Sequence, residues 1–369
     1  MSYYEIHHKY SQLEHVFDKF SSQDAAKAIY SEDANENDFW ALLSFAAGNR
    51  LEEMAQAAHS LTVRHFGRTV KLYTPIYLSN YCDNRCSYCG FNKDNDIFRS
   101  KLSLPEVKQE AECIAASGLK HILALTGDSR AESPPEYIQD CIKVLAEYFS
   151  SISLEIYALT EKEYAGMAGQ GVDGLCIYQE TYDEALYDAL HFSGPKKNYR
   201  FRLDAPERAL KAGIRSVNIG ALLGLNPDWQ KDALSLGLHA RYLQDKFPDA
   251  EIGVSLPRLR PCAGVAEHAS VVSDRNLAQL IMALRIFLPR LAISLSTRES
   301  PALRDALLPL GITSISAGSS TRVGGHITAS ARAEDVGQFE ISDQRGVEEI
   351  KTMALRKGYQ PVLKDWMRI

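Results

Sequence analysis

From Leu72 onward, short apolar runs alternate with stretches in which apolar residues recur every three or four positions. Compact apolar runs between turn residues predict strands, and the wider spacing predicts helices that bury one face. The predicted strands are Leu72–Leu78, His121–Leu125, Ser153–Ala158, Gly174–Tyr178, Ser216–Ala221, Glu251–Leu256, Ala292–Ser296 and Ser314–Ala317. The helices between them have recognisable starts. Ser103 with Glu106 and Thr160 with Glu163 each fit a capping box, and Ser300-Pro301 supplies an N-cap followed by proline at the first helical position. Gly118-Leu119, Gly171-Val172, Gly213-Ile214 and Gly311-Ile312 each place a helix-ending glycine before an apolar residue that leads into a strand.

Strand–helix alternation with such short connections predicts parallel strands joined by right-handed crossovers. Eight units of this size predict an α/β fold, a (β/α)8 TIM-type barrel, with an open doubly wound sheet as the alternative. Upstream, Phe39, Leu42, Leu43 and Phe45, then Leu51, Met54, Ala55 and Ala58, recur at helical spacing. The expected organisation is a helical extension over residues 1–70, the barrel over 71–325 and a C-terminal extension over 326–369 packed on the barrel.

The barrel makes a chemical statement, because the loops after its strands form the active-site face. The loop after the first strand reads Cys82-Asp83-Asn84-Arg85-Cys86-Ser87-Tyr88-Cys89. Three thiolates in one short loop suit an iron–sulfur cluster. A structural zinc site wants four closed ligands, and Cys113, Cys141, Cys176 and Cys262 are scattered singly, as small buried hydrophobes are. A zinc-stabilised binding barrel nevertheless stands as the rival from another class. Polar groups just past other strands should converge on the same mouth: Thr126-Gly127-Asp128, Gln179-Glu180-Thr181, Pro257-Arg258-Leu259-Arg260 and Thr297-Arg298-Glu299. The run Gly318 to His326 is rich in glycine and hydroxyls, which suits close approach to a ligand or a plain linker.

Composition narrows the class. The 369 residues are 45% hydrophobic and 24% charged, as in ordinary globular proteins. A net charge of −6 argues against a general nucleic-acid or membrane-surface partner. The N-terminus has no apolar core of a signal peptide, and no apolar run approaches the roughly 20 residues of a membrane span. A reducing cytoplasmic setting is therefore expected for the thiol loop.

The cysteine spacing, with aromatic Tyr88 before Cys89, resembles that of the radical S-adenosylmethionine (SAM) enzymes. Further marks resemble their aromatic amino acid lyase subgroup: Leu78-Ser79-Asn80, Cys86-Ser87-Tyr88-Cys89-Gly90-Phe91, Val172-Asp173-Gly174, Tyr178-Gln179-Glu180-Thr181-Tyr182, Pro257 to Cys262, Leu295 to Pro301 and Lys364-Asp365-Trp366. Within it, the chain resembles the tyrosine lyases of thiamin biosynthesis. The sister lyases of hydrogenase maturation carry a further C-terminal cysteine set, and no cysteine follows Cys262 here. A tryptophan lyase shares the scaffold and stays open as the alternative.

The resemblance implies a 4Fe–4S cluster on Cys82, Cys86 and Cys89, SAM as cofactor, and cleavage of the Cα–Cβ bond of L-tyrosine to 2-iminoacetate and p-cresol. It implies SAM contacts from Tyr88, Thr126, Gly127, Asp128, Glu180 and Arg202, with aspartate at position 128 where glutamate is usual. Arg298 is the candidate clamp for the substrate carboxylate, helped by Ser316 and Ser319. Arg258 and Arg260 are its competitors, one of which would pair with Glu299. The implied partners are a flavodoxin-type electron donor and thiazole synthase.

Overall fold

A computed structural model describes residues 2–10, 17–263, 272–327 and 337–364. Asp365 and Trp366 of the quoted C-terminal motif lie outside them. Eight parallel strands form the barrel: β1 (Thr69–Ser79), β2 (His121–Thr126), β3 (Ser151–Glu155), β4 (Gly174–Glu180), β5 (Ser216–Ala221), β6 (Glu251–Ser255), β7 (Ala292–Leu295) and β8 (Ser314–Ser316). Each pairs with its successor, and β1 closes the ring by pairing with β2 through Thr74–Ser79 and with β8 through Lys71–Tyr73. The doubly wound alternative is excluded by this closure. A ninth strand that the pattern did not predict, β9 (Gln360–Val362), pairs with the first residues of β1 at the lower rim.

The local signals behave as their chemistry requires. Ser103 and Thr160 cap their helices with the glutamate three residues on, Thr160 N–H donating to Glu163 Oε2 at 2.8 Å. Gly118 and Gly171 adopt φ of 87° and 110°, a region that would strain any residue with a Cβ, as they turn each chain into the next strand. Ser300 Oγ accepts from the Leu303 N–H, ahead of Pro301.

Upstream helices Glu36–Leu43 and Leu51–Phe66 bury Phe39, Leu42, Leu43, Met54 and Ala58 against helix Asp274–Phe287. Phe45 departs from the predicted stripe. Ser44 ends one helix and caps the next, so the register breaks and Phe45 is 69% exposed. The core is the apolar shell between barrel and helices; inside the barrel the strands present mostly serine, tyrosine and glutamate.

Candidate active site at the barrel mouth

The cysteine loop leaves β1 and has little regular structure, so its backbone groups need other partners. Arg99 supplies several, donating from Nη1 to the carbonyls of Asn80 (2.8 Å) and Phe91 (2.9 Å) and from Nη2 to that of Asn92 (2.6 Å). Asn84, inside the motif, ties the loop to two neighbours. Its Nδ2 donates to Asp128 Oδ2 at 2.8 Å, and its Oδ1 accepts from the Lys196 N–H at 2.9 Å. Cys86 pairs antiparallel with His191, and the Tyr88 hydroxyl donates to His191 Nε2 at 2.7 Å. His191 Nδ1 donates to the Tyr187 carbonyl at 2.6 Å. Burial holds that imidazole down at about 3, so it stays neutral and keeps this pattern.

Cys82, Cys86 and Cys89 are free thiols at the mouth. Burial pushes all three up, Cys82 to about 12, and Cys89 adds to the rise at Cys82 and Cys86. Opposing this, backbone N–H groups of Asn84 and Asp128 point at Cys82, that of Phe91 at Cys89, and Gln338 Nε2 lies 3.8 Å from Cys89 Sγ. One buried and two half-buried sulfurs, ringed by N–H donors, are a donor set that fits an iron–sulfur cluster. Cys262 also lies nearby, but its thiol donates to the Tyr88 carbonyl at 3.4 Å. Cys141 and Cys176 are buried elsewhere, and exposed Cys113 donates to the His326 carbonyl.

Beside the loop sits a buried charge cluster at the end of β4. Glu180 is the one described non-glycine residue with positive φ, 70°, at a bulge that turns its side chain to the mouth. Such strain concentrates at functional sites. Lys196 Nζ approaches Glu180 Oε1 at 2.6 Å, and Arg202 Nη2 at 3.8 Å. Burial favours the protonated acid, but the two cations outweigh it and hold the Glu180 carboxyl below its ordinary range. Arg202 is buried rather than on the surface, with Nε donating to the Tyr178 carbonyl at 2.6 Å. Thr126 Oγ1 is buried without a hydrogen-bond partner. Gly127 admits no side chain: a Cβ there would lie 2.2 Å from the Tyr81 carbonyl oxygen. Asp128 Oδ2 accepts from Asn84, and the carboxylate also acts electrostatically on Lys196 and Arg202.

The other convergent groups separate cleanly. Arg258 and Arg260 both pair with Glu299, and Arg258 also with Asp274 at 2.8 Å. Thr181 points outward to Asp232. Arg298 forms no ion pair among the described residues. Its guanidinium carbon lies over the Phe339 ring, 3.4 Å from the centroid, and Nη1 donates one long bond of 3.4 Å to the Arg258 carbonyl. Burial lowers its affinity for a proton, the mark of a cation lacking an anion. Ser316 and Ser319 line the same cavity; the Ser316 hydroxyl lies beside that of Tyr73, and the buried Ser319 hydroxyl has no partner among the described residues.

The comparisons agree with this geometry. The Radical SAM superfamily model matches residues 76–236 and the Biotin and Thiamin Synthesis associated domain matches 255–360. The chain is 40% identical to 2-iminoacetate synthase of Escherichia coli over 94% of its length and 91% of that protein. It belongs to the 2-iminoacetate synthase family. The Salmonella typhimurium synthase is 39% identical over the same shares. Among solved structures, the FeFe-hydrogenase maturase HydG from Carboxydothermus hydrogenoformans superposes with a TM-score of 0.85 at 31% identity, covering 98% of this chain and 83% of that one. No helix among the described residues is long and apolar enough to cross a membrane.

The mouth also holds residues that the sequence reading missed. Lys196 sits in Gly194-Pro195-Lys196, a loop without periodicity, and only the fold brings it to Glu180. Gln338 arrives from the C-terminal segment, its Oε1 accepting from the Tyr77 hydroxyl at 2.8 Å. Asn84 was in plain view between two cysteines; a short amide inside a ligand loop is the signal that marks a crosslink.

Proposed function

We propose that this chain is a radical SAM lyase that cleaves the Cα–Cβ bond of L-tyrosine, releasing 2-iminoacetate and p-cresol for thiazole formation. The observation that carries the reading is Arg298, a half-buried guanidinium that forms no ion pair among the described residues. It shares one cavity with the hydroxyls of Ser316 and Ser319. An amino acid carboxylate supplies the anion that Arg298 lacks and an acceptor for Ser319.

Cys82, Cys86 and Cys89 would hold a 4Fe–4S cluster, and Tyr88, Thr126, Gly127, Asp128, Glu180 and Arg202, joined by Lys196, would hold SAM. When bound, the two together supply one-electron chemistry and a carbon-centred radical that abstracts hydrogen from the substrate amine. The protein's share is binding and exclusion of water. Glu180, kept ionised between Lys196 and Arg202, is an acceptor for ribose hydroxyls, while the two cations suit the carboxylate of SAM. Arg298 would grip the tyrosine carboxylate with two parallel N–H···O bonds, with the Phe339 ring packed against its guanidinium. Holding the carboxylate orients the amino group, which decides the hydrogen that is lost. A flavodoxin-type donor would deliver the electron, and thiazole synthase would consume the unstable imine. The test is anaerobic: reconstituted enzyme with SAM, reductant and tyrosine should form p-cresol, and SAM cleavage without p-cresol would refute the reading.

A further inference from the structure

The proposed clamp leaves the far end of the substrate unassigned. The barrel lumen runs down from the mouth as two cavities that share Tyr73, Leu123, Tyr178, Ser255 and Ser294. The upper one, which Arg298 and Glu155 line, holds about 60 Å³, and the lower one about 370 Å³. A ligand held by Arg298 therefore has room to extend into the barrel.

Three polar groups of that lumen are already used by one another: Asn218 Nδ2 donates to Ser294 Oγ and Ser255 Oγ donates to Asn218 Oδ1, both at 3.2 Å. Glu155 is different. It is the last residue of β3, on the inner face with Ser151 and Ser153, and it lines the same upper cavity as Arg298. In the closed strand order β3 and β7 stand four strands apart, so Glu155 and the arginine that follows β7 face each other across the barrel. The barrel wall encloses the Glu155 carboxyl, yet part of its surface is open to the cavity. Among the described residues it forms no ion pair; the Cys176 thiol, a weak donor, is its hydrogen-bonding neighbour, and Glu180, Arg298 and Lys196 act on it only at longer range. A buried carboxyl with so little hydrogen bonding is costly unless a ligand completes it. Burial raises it to about 7, so hydrogen bonding from a ligand O–H would be felt strongly.

We infer that Glu155 accepts a hydrogen bond from the phenol of the substrate and selects tyrosine over amino acids with an unsubstituted ring. This rests on the tyrosine reading above and adds the residue that recognises the ring. The ring itself would lie among Leu123, Leu125, Tyr73 and Tyr178, which line the space between the two polar ends. A carboxylate at one end, an aromatic slot and an acceptor at the other match a 4-hydroxyphenyl amino acid end to end.

The experiment is equilibrium binding of tyrosine, phenylalanine and O-methyltyrosine to cluster-loaded enzyme with SAM and no reductant, so that no turnover begins. The parent should bind tyrosine roughly tenfold to a hundredfold more tightly than either analogue, the range of one hydrogen bond to a charged or charge-bearing group. Glu155→Leu should bring the three ligands to within about threefold of each other, chiefly by weakening tyrosine, and Glu155→Gln should keep part of the preference. Equal weakening of tyrosine and phenylalanine would place Glu155 at the amino group or in the framework and overturn the inference. So would an undiminished preference. If Glu155→Leu does not fold, the parent ranking and Glu155→Gln decide: equal affinity of the parent for tyrosine and O-methyltyrosine would overturn it. A parent that binds no tyrosine at all would instead refute the tyrosine reading itself.

Discussion

Replacing Arg298 by lysine keeps the charge and removes the fork. The guanidinium is enclosed, stacked on Phe339 and without a carboxylate partner among the described residues, so its bonds to a bound substrate are neither screened by water nor shared with a competitor. Lysine offers one charge-assisted hydrogen bond where arginine offers two, a loss of about 1.5–3 kcal/mol. That corresponds to roughly a tenfold to hundredfold fall in kcat/KM for tyrosine. With SAM held at Glu180, Lys196 and Arg202 as proposed, its cleavage should persist, so the enzyme should uncouple, forming 5′-deoxyadenosine with little p-cresol. The assay quantifies both products in the same anaerobic reaction. Misfolding is separable, because Arg298→Met removes a desolvated cation that has no anion to strand and should leave the melting temperature unchanged or raised. Parent-like p-cresol formation in Arg298→Lys, with unchanged tyrosine dependence, would refute the clamp.

Alanine at Cys82, Cys86 or Cys89 should abolish iron content and SAM cleavage, whereas Cys262→Ala should retain both; a full, active cluster in Cys86→Ala would contradict the ligand set and return a non-iron barrel to consideration. Glu180→Gln should weaken SAM binding roughly tenfold to a hundredfold by calorimetry while iron stays bound, since an amide accepts less strongly than a carboxylate. Asp343→Ala strands the fully buried Arg304 guanidinium and should cost about 3–5 kcal/mol of stability in denaturant titration. Burial holds His191 and His239 down at about 3, so the unfolded chain takes up protons that the folded chain refuses; stability should fall as pH drops from about 7 towards 5, and His239→Phe should flatten that slope.

The barrel was legible because its signals are local. Ser216–Ala221 coincides with β5, and the capping boxes stand where Ser103 and Thr160 placed them. β9 was not legible: three residues with a proline among them carry no strand pattern, and only its seat at the rim of β1 makes it one. The cysteine loop was visible in its spacing, and Arg298 in its place just past a strand. What separates Arg298 from Arg258 and Arg260 is long range, namely where Glu299 points. Glu155 was hidden for a related reason. Ser151, Ser153 and Glu155 alternate with apolar neighbours, which reads as a solvated face in an open sheet, and becomes a lumen wall only when the sheet closes. Lys196 required the crossover after β4 to fold back on the mouth.

The account stands most directly on what tyrosine becomes. Reconstituted enzyme given SAM, reductant and either tyrosine or tryptophan should yield p-cresol from tyrosine, one 5′-deoxyadenosine for each p-cresol, and 2-iminoacetate recovered as glyoxylate after hydrolysis. Cleavage of SAM with no p-cresol from tyrosine, or carbon–carbon cleavage of tryptophan in its place, would contradict it.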